Sequence, residues 1–365
     1  MTVLTTERSE GIIKLRPARS GRVTTKWGPG MTELPGLDLR RLRAYLDAAV
    51  PGFVAGELTG EVIAGGRSNL TYTVSDGVQR FVVRRPPLGH VLATAHDMVR
   101  EYRVVSALFP TGFPVPGTIA LGADPDIIGA PFYVMRFLDG EIYRYPADLA
   151  AIGPDAVRAL ILDLVDRLAD LHAIDPAAIG LADFGRPDGY NERQVRRWKK
   201  QLDASRSRDV PGLDGLHDRL AATVPLTAGG GTIVHGDYRI DNAVAVGTSI
   251  RGVLDWEMST LGDPLADLAL LLLYTGRSAG DSATVLSVPG HPGLDEMIAR
   301  YAERSGRDVS DLRWYRGLAA FKLAVISEGI YYRYTQGLTV GAGFDRIGER
   351  VAPLAAQGHE LLGED

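Results

Sequence analysis

The stretch 233–257, IVHGDYRIDNAVAVGTSIRGVLDWE, concentrates the side chains with the most chemistry to offer. Apolar Ile233 and Val234 lead into His235-Gly236-Asp237, and Asn242 follows five residues after the aspartate. Two short apolar runs, 243–246 and 250–254, flank Gly247-Thr248-Ser249 and are expected to pair as a tight hairpin. Pairing outward from Thr248 and Ser249 sets Asn242 opposite Asp255, with side chains about 5 Å apart. An amide oxygen and a carboxylate at that separation can share one hard cation such as Mg²⁺, with nucleotide phosphates completing the octahedron. Asp237, on the loop upstream, is free to orient an attacking hydroxyl and accept its proton. Together these are the parts of a phosphoryl transfer site. The plainer alternative makes Asp237 and Asp255 turn and cap residues of an unrelated hairpin. His235 reads as a structural residue that bonds the loop.

The elements that must position these residues fall into two regimes. From about residue 37 to 137 the pattern is mostly strand-like. Runs at 70–74 and 80–84 are joined by Ser75-Asp76-Gly77, a hairpin turn. A helix is expected over 95–108, where Met98, Tyr102, Val105 and Leu108 recur at helical spacing, and 127–137 is an extended apolar run. The second regime is mainly helical. Residues 155–174 place Val157, Leu160, Ile161, Leu164, Leu168 and Leu171 on one stripe behind Pro154. A polar, Arg-rich stretch follows at 190–208, then helices over 265–274 and within 294–336. The expected fold is α+β: a small β-rich lobe over 37–137 and a larger helical lobe over 138–365, with a cleft between them. Residues 1–36, rich in Gly, Thr and Arg and without periodicity, read as a mobile extension.

Composition narrows the class. With 365 residues, a net charge of -5 and a pI near 5.9, the chain does not look like a general binder of nucleic acid or anionic membranes. It has no cysteine, which excludes disulfides, thiolate metal sites and cysteine nucleophiles. The most apolar run, 265–274, is about half the ~20 residues a membrane span needs, and no secretion signal is visible. A cytoplasmic enzyme is the default expectation. Neither GxxxxGK[ST] nor GxGxxG occurs, so P-loop and dinucleotide-binding folds are disfavoured.

The segment from His235 to Asp255 resembles the catalytic and metal segments of the aminoglycoside phosphotransferase and choline kinase family, in which His-Gly-Asp, four residues, Asn and a strand ending in Asp recur. The resemblance extends over roughly residues 40–360 and implies a protein-kinase-like fold, with Asp237 as catalytic base and Asn242 and Asp255 as magnesium ligands. Asp267 lies only twelve positions after Asp255, too few for the activation segment with which protein kinases dock a polypeptide, so a small-molecule acceptor is favoured. Asp267 is expected to brace the catalytic loop and Asp263 to cap the helix that follows. Glu257 is read either as approaching the metal or as salt-bridged, and His172 as a packing histidine.

The first lobe is then expected to hold ATP or GTP. Gly65, Gly66, Ser68 and Asn69 form a flexible loop suited to phosphates. Alternation puts Val82 and Arg84 on one strand face, Val82 toward the adenine and Arg84 toward the phosphates, with Glu101, seventeen residues on, as its partner. The family pattern has lysine where Arg84 stands. Arginine forks to two oxygens where lysine makes a point contact, and Arg85 is an alternative substitute. Arg136, Phe137 and Leu138 read as the hinge whose backbone meets the adenine edge.

Gly-Gly-Arg-Ser-Asn, Arg-Arg-Pro-Pro, Arg-Glu-Tyr-Arg and Leu-Asp-Trp-Glu look most like the acyl-CoA-dehydrogenase-associated branch of the family. That resemblance implies a functional link to an acyl-CoA dehydrogenase and a 4-hydroxyacyl-CoA as acceptor. Arg193, Arg196, Arg197, Lys199, Lys200, Lys322 and Arg333 supply cations for such a substrate, and no acidic run suited to a polycationic aminoglycoside is visible. An aminoglycoside or amino-alcohol kinase, and a nucleotide-binding regulator without catalysis, are the alternatives.

Overall fold

A computed structural model describes residues 34–63, 69–88, 96–225, 231–276, 284–338 and 344–363. Asp38 opens α1 (Leu39–Ala49) by accepting the backbone N–H groups of Arg40 and Arg41. Strands β1 (Thr59–Val62), β2 (Leu70–Ser75) and β3 (Arg80–Arg85) follow, then α2 (Met98–Leu108), β4 (Thr118–Gly122) and β5 (Phe132–Arg136). They form one antiparallel sheet in the order β1-β2-β3-β5-β4. At the β2–β3 turn the Asp76 carboxylate accepts N–H bonds from Ala55, Val78 and Gln79 at 2.8–2.9 Å.

Period-two alternation divides the sheet into two faces. Tyr72, Val74, Phe81, Val83 and Val134 pack with Leu42 and Leu46 of α1. On the other face Val82, Tyr133 and Met135 make a smaller cluster with Met98 of α2. Arg84 shares that second face. Residues 34–36 are fastened to the sheet, although composition placed them in the extension: Tyr72 donates to the Pro35 carbonyl and Arg85 to that of Gly36.

The helical lobe begins with α3 (Pro146–Ala150), α4 (Pro154–Ala173), α5 (Tyr190–Ser205) and α6 (Leu213–Ala222). Strands β6 (Thr232–Val234), β7 (Ala243–Val246), β8 (Ser249–Val253) and β9 (Thr260–Gly262) come next, pairing as β6–β9 and β7–β8. Helices α7 (Pro264–Thr275), α8 (Leu294–Ser305), α9 (Leu312–Thr335) and α10 (Val351–Leu362) complete it. The expected stripe of α4 is buried throughout, and α7 is buried nearly all round because it lies inside the lobe. Among the described residues no helix is long and apolar enough to cross a membrane.

Some boundaries differ from expectation. The helix expected from 95 starts at Met98, where Asp97 caps it through the Arg100 N–H. Of the extended run 127–137 only Phe132–Arg136 is strand, because Ile127 and Gly129 close turns back to Asp124 and Pro125. The polar stretch from 190 is a helix that buries Val195, Trp198 and Leu202 and leaves its charges outside.

Candidate active site

The loop after β6 is held mostly through its backbone. Asp267, in the first turn of α7 and fully buried, accepts the N–H of His235 at 2.6 Å and of Gly236 at 2.8 Å. Burial works against its charge, but these bonds and the His172 imidazole 3.5 Å away hold its pKa below the usual carboxylate range. His172 is buried and its pKa is lowered by desolvation, so it sits there neutral, between Asp267 and the Tyr301 hydroxyl. Gly236 has φ 83°, and a Cβ there would strike the Met258 carbonyl, which is why glycine stands at this turn. His235 Nε2 donates to the Leu254 carbonyl at 2.9 Å, which leaves Nδ1 to accept the Asp237 N–H at 3.2 Å. The histidine is thus a strut between the loop and β8. Asp263 caps α7 and accepts the Tyr315 hydroxyl at 2.6 Å.

This strut delivers Asp237 to a partly exposed position beside Asn242, whose amide donates to the Asp237 carboxylate at 3.0 Å and to its carbonyl at 2.9 Å. The hairpin register differs from the expected one, by two at the turn and by one beyond a bulge. Val246 pairs with Ser249, so Gly247-Thr248 forms the turn, and Arg251 is left over as a bulge between Ile250 and Gly252. Asn242 therefore faces Leu254, whose N–H reaches its carbonyl at 2.8 Å, and Asp255 lies one residue further on. Asp255 has φ 68°, the sole non-glycine residue with positive φ among those described. This left-handed turn stops β8 and starts the short 3₁₀ turn Trp256–Met258, burying Trp256 and leaving the Asp255 side chain 31% exposed. Arg239 is fastened to Asp241 and stacks on Tyr274.

On the sheet side, Arg84 spans both lobes. Its Nε lies 3.0 Å from a Glu101 oxygen and its terminal nitrogen pairs with Asp255. Burial opposes the Arg84 charge, but Glu101 above all, then Tyr133 and Asp255, outweigh it and raise its pKa above the ordinary value. Arg85 points through the opposite face to the carbonyls of Gly36 and Ile128 and does not approach this group. Val82 lines the same face as Arg84. Of the loop expected to hold phosphates, Gly65, Gly66 and Ser68 lie outside the described residues. Asn69 is buried, donating to Glu257 at 2.9 Å and bonded through its oxygen to His96 Nδ1 at 2.8 Å. Glu257 is therefore engaged with the sheet lobe. Arg136 N donates to the Gly117 carbonyl, Phe137 carries the Arg80 guanidinium 4.1 Å above its ring, and Leu138 packs on Gly252. Just beyond them Glu141 exchanges backbone bonds with Ala245 of β7, tying the link between lobes to the hairpin.

The structure thus joins Asp237 to Asn242, and Arg84 to both Glu101 and Asp255, and leaves Arg136 at the strand end. It also adds residues that sequence reasoning passed over. His96 joins Asn69 and Glu257, and Arg100 of α2 donates to the carbonyls of Phe184 and Ser259 in the helical lobe. Nothing in the local pattern marks either residue, since the partners are 27 to 161 positions away. Of the seven cations proposed for the cleft mouth, Lys322 donates to the Gly236 carbonyl at 2.8 Å, whereas Lys199 is paired with Asp203 and Arg193 is bonded to nearby carbonyls.

Comparison with known proteins is consistent with this geometry. Residues 59–318 match the model of the phosphotransferase enzyme family. Acyl-CoA dehydrogenase family member 11 of Gallus gallus is 37% identical over 350 residues, covering 91% of this chain but 45% of its own length. The chain thus spans less than half of that relative. A crystal structure from Ralstonia eutropha JMP134, provisionally assigned as an aminoglycoside phosphotransferase, superposes with a TM-score of 0.78 at 33% identity, covering 88% of this chain and 97% of its own. The GDP complex of aminoglycoside 2'-phosphotransferase-IIIa shares the fold, with a TM-score of 0.58 at 15% identity over 88% of this chain and 98% of its own. The two-lobed, kinase-like chain described here belongs to the phosphotransferase enzyme family.

Proposed function

We propose that this protein transfers the terminal phosphate of ATP or GTP to a hydroxyl group of a small molecule, with 4-hydroxyacyl-CoA thioesters as the favoured acceptors. The observation that supports the reading is the hydrogen bond joining Asn242 to the Asp237 carboxylate, with Asp255 one residue beyond the Leu254 N–H that bonds the Asn242 carbonyl and all three side chains partly exposed. Asp237 orients the acceptor hydroxyl and takes its proton; the acceptor oxygen–phosphorus bond forms as the bond to the nucleoside diphosphate breaks. The Asn242 amide holds the Asp237 carboxylate in place. Arg84, kept cationic by Glu101, faces the phosphates, and Val82 faces the base.

The donor set suits a hard divalent ion: one carboxylate and one amide oxygen, both accessible. Among the described residues no group of three acidic or histidine side chains could hold the ion by itself, so phosphates would have to complete its shell. Asn242 and Asp255 would hold Mg²⁺, which when bound neutralises the charge of the phosphates being parted. The acyl-CoA dehydrogenase names of the relatives support the acyl-CoA acceptor and a functional link to such a dehydrogenase. One observation favours a second reading, a nucleotide-binding regulator: Arg84 already occupies the Asp255 carboxylate that the cation needs.

Incubation of the purified chain with labelled ATP or GTP, Mg²⁺ and a panel of acceptors tests the proposal. Transfer to 4-hydroxyacyl-CoA but not kanamycin is expected. The reverse would reassign the acceptor class to aminoglycosides, and nucleotide binding with no turnover on any acceptor would leave the regulator.

A further inference from the structure

Helices α5 and α9 bring two cations to one indole beside the catalytic loop. Lys322 Nζ lies 5.6 Å from the centre of the Trp198 ring while it donates to the Gly236 carbonyl, and the Arg197 guanidinium lies 5.4 Å from the same ring. Trp198 is itself buried between the helices, so its position is fixed by packing. Neither cation has a carboxylate within 4.0 Å among the described residues. The chain treats its other site cations differently: Arg84 is paired with Glu101 and Asp255, Arg239 with Asp241, and Lys199 with Asp203. A partly buried ammonium without a counter-ion is unusual, because desolvated charges are normally paired. Gly236 takes one of its three N–H directions and leaves the others unassigned. The bond to the Gly236 carbonyl sets the ammonium one residue from the proposed base, and desolvation lowers its pKa against the opposing charge of Asp237.

We propose that Lys322, backed by Arg197, binds an oxyanion of the acceptor, so that the substrate is a negatively charged hydroxy compound whose hydroxyl is delivered to Asp237. The inference rests on the phosphotransfer reading above and adds the side chains that receive the anionic group of the acceptor. An anion entering this partly dry corner gains more from the ammonium than it would at an open surface. A carboxylate and a phosphate share the required chemistry. A polycation meets repulsion from both side chains.

The test uses the full chain with ATP and Mg²⁺ and three acceptors: 4-hydroxypentanoate, its CoA thioester and kanamycin. Acceptor affinity is read as KM and, without turnover, by calorimetry in the presence of ADP. Acceptor-independent ATP hydrolysis and nucleotide binding serve as separate readouts of the underlying reading. Lys322→Met is expected to raise the KM of the anionic acceptors about tenfold or more, exceeding any change in kcat, with nucleotide affinity unaltered. Lys322→Arg should restore most of the affinity, and Arg197→Gln should raise KM about threefold. A response to the free hydroxy acid assigns the anion as a carboxylate, and a response confined to the thioester assigns it as a carrier phosphate. A fall in kcat with acceptor KM and affinity unchanged would make Lys322 a brace of the loop and overturn the proposal, as would a preference for kanamycin. If Lys322→Met does not fold, as judged by thermal melting, unchanged acceptor affinity in the exposed-site variant Arg197→Gln overturns it instead. Loss of both hydrolysis and nucleotide binding in the unmodified chain would refute the phosphotransfer reading itself.

Discussion

The two walls of the site are built by different means. On the helical side, Asp237 is placed by short backbone bonds to a buried carboxylate, a neutral imidazole and a glycine turn, all within the His235–Asp267 region of one lobe. On the sheet side, Arg84 is a long side chain reaching across 17 positions to Glu101 and 171 to Asp255, so one guanidinium joins strand, helix and opposite lobe. The first arrangement fixes a geometry at little conformational cost. The second depends on how close the lobes are, because one of its two partners belongs to each lobe. Position is built into one wall, adjustability into the other.

The largest effect expected from breaking the first wall is chemical. Asp237→Asn should lower turnover by about 10²–10⁴ while leaving nucleotide affinity nearly intact, as measured by steady-state kinetics beside calorimetry. Asp255→Ala attacks the junction of the two walls and should abolish Mg²⁺-dependent nucleotide binding; titration giving the same affinity with and without the substitution would contradict its assigned role. Asp267→Ala removes the anchor without touching reactants. It should cost about 3 kcal/mol of stability and slow turnover, seen as a lower melting temperature, because two buried N–H groups lose their acceptor. Arg84→Lys tests the adjustable wall. It can keep the Glu101 pair but cannot fork to Asp255, so a change in nucleotide KM of about threefold to tenfold with little loss of stability is expected. A collapse in stability would instead mean that the arginine is a fixed strut.

The smallest effect lies far from the site and serves as a control. Three backbone bonds hold the Asp76 pKa down to about 2, below its ordinary value of 3.8. A depressed carboxylate stabilises the fold above its unfolded-state pKa and loses that contribution as pH falls toward the folded one. Melting temperatures should therefore show an Asp76-dependent decline between about pH 4 and pH 2. In Asp76→Ala that decline should be absent and stability about 2 kcal/mol lower at neutral pH, with turnover unchanged.

The same division explains what could be read from the residues alone. His-Gly-Asp and the spacing to Asn242 are local in sequence; the bracing by Asp267, 31 and 32 positions on, came from the family resemblance, and its bonds to the His235 and Gly236 N–H groups are present. Alternation along β3 correctly put Val82 and Arg84 together, and the opposite direction of Arg85 follows from the same period. The hairpin register was missed because the turn centres on Gly247-Thr248 and not on Thr248-Ser249; the extra residue in β8 then reverses half of that shift, and the apolar pattern reveals neither. Asn69 and Glu257 were each singled out for other roles, but their meeting at His96 was invisible because the partners are 27 and 188 positions apart.

The leftover Arg251 has a further consequence for tolerance to change. Its side chain is exposed and no described partner depends on it, so many replacements at this position should pass unnoticed. Deleting it is another matter. The pairs on either side would close into a regular ladder, the bend and added twist of the bulge would be lost, and the carboxylate at 255 would be re-aimed relative to the cleft. At this spot the protein is indifferent to the letter and strict about the count.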